Sequence, residues 1–269
     1  MRATLQGDTS AGNFSKMLLQ VGEGALPANS EGQVSIPTGC GNVIEKPQDL
    51  LQKVYPNLAQ HFRDHDWLCE RAILAPKNDT VDLINSKILQ PLPGPLKSYK
   101  SIDTVADQDD AVHYPTEFLN SLQPPGMPPH NLMLKEGAPI MLLRNLDAPR
   151  LCNGTRLVVK SLMPHVIQAT IITGCAKGED TFIPRIPLIP SDMPFSFKRL
   201  QFPLRLAFAM TINKAQGQSL KVAGIDLTTP CFSHGQLYVA CSRVGTSRNL
   251  FILAPGKKTN NVVYRSALQ

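Results

Sequence analysis

A chain of 269 residues has room for one large domain or two small ones, each with a proper core. Hydrophobic content of 42% is ordinary for a globular protein, and no apolar run approaches the length of a bilayer crossing, so a membrane partner is not expected. The net charge of +6 is unevenly spread: residues 1–149 carry 12 Lys/Arg against 17 Asp/Glu, whereas residues 150–269 carry 15 against 4. Such an excess is the footprint of a polyanion-binding surface or of a solvated basic face. Six scattered cysteines without a C-x-x-C pair read as free thiols in a reducing compartment. The stretch after Met1 lacks the apolar core of a signal peptide.

In chain order, Phe14 to Val21 predicts a short amphipathic helix, stopped by Gly22, Gly24 and Pro27. Residues 28–41 read as a loop. Residues 47–68 read as helical, broken near Pro56. His61 and His65 lie four apart on that pattern, but no Cys or carboxylate completes a zinc site, so a surface pair is expected. Arg71 to Ala75 is a strand, and Asn78 or Asp79 caps a helix reaching about Leu89, with Val81, Ile84 and Ile88 as its buried stripe. The stretch holding Asp103, Asp107, Asp109 and Asp110 reads as an exposed acidic loop. Residues 123–130 read as a stiff proline linker. From Leu132 the texture is all-β, with strands expected over 139–144, 155–162, 165–173 and 180–186. This predicts a small barrel or sandwich inserted between α/β pieces.

The stretch 202–244 carries the chemistry. Leu204 to Met210 predicts a buried strand, followed by a polar knot of Thr211, Asn213, Lys214, Gln216, Gly217, Gln218 and Ser219. Groups of this kind at the carboxyl end of a strand suit phosphate oxygens, and Gly217 would allow close backbone approach; a polar loop is the alternative. Leu220 to Leu227 predicts a second strand. Ser233 and Gln236 have capping-box spacing before a helix whose Leu237, Ala240, Cys241 and Val244 form one buried face. Arg243 then stands at the helix's last turn. Either it only complements the helix dipole, or it is a fixed cation for a transferring phosphoryl group. Residues 249–254 predict a final strand, followed by a polar tail.

TINKAQGQSL at 211–220 and YVACSRV at 238–244 resemble the fifth and sixth motifs of the petite-integration-frequency family of DNA helicases, a branch of superfamily one that includes Helitron helicases. RAILAPKNDTVDLIN at 71–85 and the segment 127–157 resemble further family stretches, and MRATLQGD at the start resembles the end of its fourth motif. The resemblance implies an α/β, RecA-like second motor domain, a parallel sheet with flanking helices, interrupted by a small β-barrel of the Src-homology-three type. The divisions it implies are the end of a first motor domain over 1–27, a helical linker over 28–68, motor segments over 69–131 and 201–256, the barrel over 132–200, and a tail from 257. It implies that Arg243 and Arg2 act on the γ-phosphate and that Gly217 and Gln218 border the nucleotide. It further implies that Thr211, Asn213, Lys214, Gln216, Lys77 and Asn78 meet single-stranded DNA; many relatives carry His where Asn213 stands. By the same resemblance the cofactors are ATP and Mg²⁺, used together with an N-terminal RecA-like domain, in a monomeric 5′-to-3′ helicase of the nucleus, with the mitochondrion as the alternative, that serves DNA repair, recombination and telomere maintenance.

No G-x-x-x-x-G-K-[ST] occurs in the chain: Gly7 and Gly12 have the spacing, but Asn13 and Phe14 follow where Lys and Ser/Thr are required. The expectation is therefore half of a motor, without turnover by itself. The alternative is a truncated or transposon-derived nucleic-acid-binding fragment.

Overall fold

The computed structural model describes residues 9–105, 113–190, 193–264 and 266. The chain begins with α1 (Thr9–Gly22), β1 (Gln33–Ser35), β2 (Asn42–Ile44), α2 (Pro47–Val54), α3 (Leu58–His61), α4 (His65–Cys69), β3 (Arg71–Ala75) and α5 (Asn78–Leu89). Its middle holds β4 (Lys97–Lys100), β5 (Ile102–Val105), α6 (Thr116–Ser121), β6 (Asn131–Leu134), β7 (Pro139–Leu142), β8 (Arg156–Leu162), β9 (Val166–Ile171), β10 (Asp180–Pro184), β11 (Ile186–Leu188), β12 (Phe197–Gln201) and β13 (Leu204–Leu206). It closes with β14 (Ala209–Thr211), a 3-10 turn at Ile212–Ala215, β15 (Val222–Asp226), α7 (Gln236–Cys241), β16 (Leu250–Leu253) and β17 (Lys258–Asn260).

Two compact units result, one of residues 1–88 with 208–269, the other of residues 89–207. The first is built on a parallel five-stranded sheet in the order β14-β3-β15-β16-β2. Near-continuous apolar runs such as Ala72–Ala75 and Ala223–Ile225 are what a sheet covered on both faces requires. Gly224 lets α2 seat closely: a Cβ there would lie 2.8 Å from Val54 Cγ2 and 3.1 Å from Leu50 Cδ1. Tyr55 extends this packing by donating its hydroxyl to Phe208 O at 2.7 Å.

The second unit contains an antiparallel five-stranded sheet, β10-β9-β8-β7-β13, with a bulge between Val159 and Ser161. Its buried face joins Ile140, Leu142, Leu157, Val159, Ile167 and Ile171 with Leu204 and Phe202. A three-stranded sheet, β11-β12-β5, and the β4-β6 pair complete it. The unit runs from Leu89 to Ala207, wider than the 132–200 expected for the insertion.

Several expectations are corrected. The single strand expected over 204–210 is two: Leu204–Leu206 pairs with β7 in one unit, and Ala209–Thr211 pairs with β3 in the other. The acidic loop is not wholly exposed. Asp103 sits in β5, buried, and accepts from Arg199 Nε at 2.9 Å and Nη2 at 2.7 Å; Asp107, Asp109 and Asp110 lie outside the described residues. The proline segment 123–130 is packed rather than free, since Pro128 O accepts from Arg199 and His130 O from Gln201 and Ser101. Residues 28–68 contain β1 and β2 besides helices, and residues 258–260 form a strand against β1 where a polar tail was expected. His61 and His65 belong to different helices, and His61 stacks on Trp67 at 4.9 Å.

Candidate nucleotide and nucleic-acid site

The site grows from two connections in the first unit. After β14 ends at Thr211, the chain makes its 3-10 turn and then descends past the sheet. By Leu220 and Lys221 it has reached the other end: Lys221 N donates to Glu70 O at 2.8 Å, and Glu70 immediately precedes β3. The polar knot expected at one strand end therefore spans both. Thr211 remains at the carboxyl end, level with Ala75 in register, and the exposed Lys77 and Asn78 follow Ala75. Asn213, Lys214 and Gln216 are exposed on the turn, while Ile212 and Ala215 are buried and fasten it. Gly217, Gln218 and Ser219 lie beyond it, toward the amino end.

The second connection is α7. It begins at Gln236 with Gly235 in left-handed backbone as its cap, so the capping box is not formed. Gln236 Oε1 accepts from Phe232 N at 3.0 Å, one residue before Ser233, which spends that amide on the loop. Leu237, Ala240 and Cys241 form its buried face as expected; Val244 is also buried but lies beyond the helix, which ends at Cys241. Arg243 is half-buried at the helix end. Its Nε donates to Val239 O at 2.8 Å, its Nη2 to Ser242 Oγ at 2.8 Å, and its Nη1 to Gln218 O at 3.1 Å and Ala215 O at 3.3 Å. Arg243 O in turn accepts from Leu220 N. The guanidinium is thus held in a cage shared by two carbonyls of the 211–219 stretch and by Val239 O and Ser242 Oγ at the helix end.

A cavity of about 430 Å³ opens here, lined by Arg243, Gly217, Gln218, Ser219, Tyr238 and Ser242 among others. Arg243, Gly217 and Gln218, three of the expected nucleotide-side residues, are therefore brought together. Ser15 and Leu18 of α1 also line it and were not foreseen. They sit one helical turn apart but some two hundred residues away in sequence. Gly217 has left-handed backbone at φ +83°, and no protein atom lies near the position a Cβ would take. Arg2 lies outside the described residues. The lining offers a cation and several hydroxyl and amide donors suited to phosphate oxygens. Among its described residues no carboxylate is present, so it fits a phosphate chain better than a magnesium ion.

Comparison with known proteins now bears on this geometry. Residues 117–162 match the family described as DNA helicase Pif1, 2B domain. The chain is 33% identical over 178 residues to the ATP-dependent DNA helicase PIF1 of Xenopus laevis, covering 66% of this chain and 26% of that protein. It is 34% identical over 187 residues to the ATP-dependent DNA helicase PIF1 of Rattus norvegicus, covering 67% of this chain and 27% of that one. The fold matches the crystal structure of Pif1 helicase from Candida albicans with a TM-score of 0.65 at 22% identity, over 100% of this chain and 57% of that one. It also matches Pif1 helicase from Bacteroides in complex with ADP-AlF3 and ssDNA, with a TM-score of 0.61 at 19% identity, over 100% of this chain and 53% of that one. The chain spans about a quarter of the length of the curated relatives it matches. The parallel sheet with its flanking helices is the RecA-like part of that fold. Over the residues it shares with them, this chain belongs to the Pif1-type DNA helicases, as the counterpart of part of their longer members.

Proposed function

We propose that this chain is the C-terminal part of an ATP-dependent DNA helicase motor. Arg243 is the arginine finger, Gly217 and Gln218 border the nucleotide, and Thr211, Asn213, Lys214, Gln216, Lys77 and Asn78 follow a single DNA strand. Arg2 is the second cation of the same site. The complete motor acts 5′ to 3′ in the nucleus as a monomer, and ATP with Mg²⁺ is used where a Walker A domain faces this one. The antiparallel sheet of the second unit is a barrel of the Src-homology-three type, a reading supported by its bulge and its buried apolar face. One observation carries the proposal: the 3-10 turn that ends in the Arg243 cage begins at the strand end bearing Thr211. A DNA-facing segment and a phosphate-facing cation thus share hydrogen bonds. Movement of the turn alters the cage, which is how strand position is coupled to the nucleotide. Likeness to helicases solved with ADP-AlF3 and ssDNA supports it.

Binding of a fluorescent oligothymidine across a salt series tests the DNA arm. Affinity falls steeply with salt, and Lys214→Ala weakens binding and lowers the log–log slope by roughly one phosphate's worth. A salt-independent affinity would refute the assignment. In a complete enzyme carrying this chain, Arg243→Ala lowers hydrolysis by about 10³-fold or more and leaves DNA binding in place. Because the chain has no Walker A loop, a non-catalytic nucleic-acid-binding fragment is the second reading. It shares the first result, and an in-frame Walker A upstream in the gene separates the two.

A further inference from the structure

We infer that Cys40 and Cys241 are a thiol pair placed to close into a disulfide, a modification site on the helix that leads to Arg243. Their sulfurs are 3.9 Å apart, and each residue is 1% exposed. This is van der Waals contact, from which an approach of about 2 Å makes the bond. The placement of Cys40 is built, not incidental. Cys40 N donates to Pro37 O at 3.0 Å, closing a turn whose Gly39 has φ +90°. On its other side, a Cβ at Gly41 would lie 2.9 Å from Leu250 O, so only glycine lets the backbone lie against β16 there. Glycine on both sides thus delivers the thiol inward, while Thr38 and Gly39 of the same turn stay exposed. A small opening of this turn uncovers Cys40. Cys241 is the last residue of α7.

The two thiols are chemically unequal. The hydrogen bond it shares with Cys241 draws the Cys40 thiol below its usual range, against the opposing effect of burial. That same bond, and burial after it, hold Cys241 well above the range. Burial pushes the third buried thiol, Cys231, up to about 12, so it stays protonated. Cys40 is then the attacking group. With a low-molecular-weight disulfide such as oxidised glutathione, the Cys40 thiolate attacks one sulfur and expels one thiolate, leaving a mixed disulfide. Cys241 gives up its proton and attacks the Cys40 sulfur, expelling the second thiol. Two protein thiols are oxidised and one small disulfide is reduced to two thiols.

The bond would join positions 201 apart in sequence and remove loop-closure entropy from the unfolded chain. It would also tether α7 two residues before Arg243. That consequence rests on the proposed role of Arg243; the cross-link itself does not.

The test uses the full chain with Cys69, Cys152 and Cys175 replaced by Ser, equilibrated in glutathione redox buffers and then denatured for thiol counting and peptide mapping. Under oxidising ratios the free thiols fall from three to one, the linked peptides contain Cys40 and Cys241, and the melting temperature rises until reductant is added. Cys40→Ser abolishes the loss, and Cys231→Ser leaves it. Mapping of the unsubstituted chain gives the same link should the triple variant fold poorly. Retention of all three thiols at every ratio, a link through Cys231, or a stable glutathione adduct on Cys40 would each overturn the inference. None of these readouts involves nucleotide or DNA, so they stand apart from the test of the motor reading.

Discussion

Arg199 shows how much one side chain organises in the second unit. It is fully buried, binds both oxygens of the equally buried Asp103, and donates to Pro128 O at 3.1 Å and to Leu119 O and Leu122 O at 3.2 Å each. One guanidinium thereby fastens β5, α6 and the proline segment to β12. Removing one member of such a pair leaves the other charge in a medium that cannot solvate it. Arg199→Met therefore costs about 3–5 kcal/mol in urea unfolding. Adding Asp103→Leu recovers only part of this, because three carbonyls still lose their donor. Full recovery in the double variant would mean that the carbonyl contacts carry nothing. Arg243 is the contrasting residue, half-buried, held by three carbonyls and the Ser242 hydroxyl, and lining the cavity.

At the level of elements, glycine does two different jobs in the first unit. Gly224 is required by packing: any Cβ meets Val54, Leu50 and Ile73 within 3.2 Å. Two of these are on α2, so the added methyl would push that helix from the sheet. Gly224→Ala costs about 1–3 kcal/mol by overpacking. At Gly217 the fold itself asks only for the dihedral angle, with no protein atom near a Cβ, and Gly217→Ala costs about 1–2 kcal/mol of stability from left-handed strain with no clash. Thermal melting of the two variants separates the mechanisms. Val54→Ala vacates the atom nearest the added methyl, so it softens the penalty at Gly224 and leaves that at Gly217 unchanged. Equal behaviour of the two pairs would contradict this division.

For the whole molecule, charge is distributed differently in space than along the chain. The first unit has 15 Lys/Arg against 11 Asp/Glu, and the second 12 against 10. The strong basic excess of residues 150–269 is partly spent inside, since Arg156 and Arg199 are fully buried. The exposed Lys77, Lys214 and Lys221 in the first unit matter more than the total. The second unit also carries a pH dependence. His130 accepts or donates a hydrogen bond with Ser101 Oγ at 2.8 Å, and burial depresses its pKa below the ordinary 6.5. Asp103, 3.8 Å away, pulls the other way but is already engaged by Arg199, so desolvation prevails. Because the folded state binds the proton more weakly than the unfolded one, stability is intact above about 6.5 and is lost as pH falls through the depressed folded value. Urea titrations at pH 7.5 and 5.5 detect this, and His130→Gln flattens the difference. A variant with an unchanged pH dependence would exclude His130 as the source.

The sequence alone determined the α/β character of the first unit, the β texture of 139–186, the buried face of α7 and the grouping of Gly217 and Gln218 with Arg243. These follow from local periodicity and from short motifs, both of which are written in neighbouring positions. Only the tertiary structure decided that the run 204–210 serves two sheets, that Asp103 is a buried partner of Arg199, that residues 258–260 return to β1, and that Ser15 and Leu18 line the cavity. Each of these depends on pairing between segments tens to hundreds of positions apart. Hydrogen bonds and ion pairs across such distances leave no periodic trace in the chain.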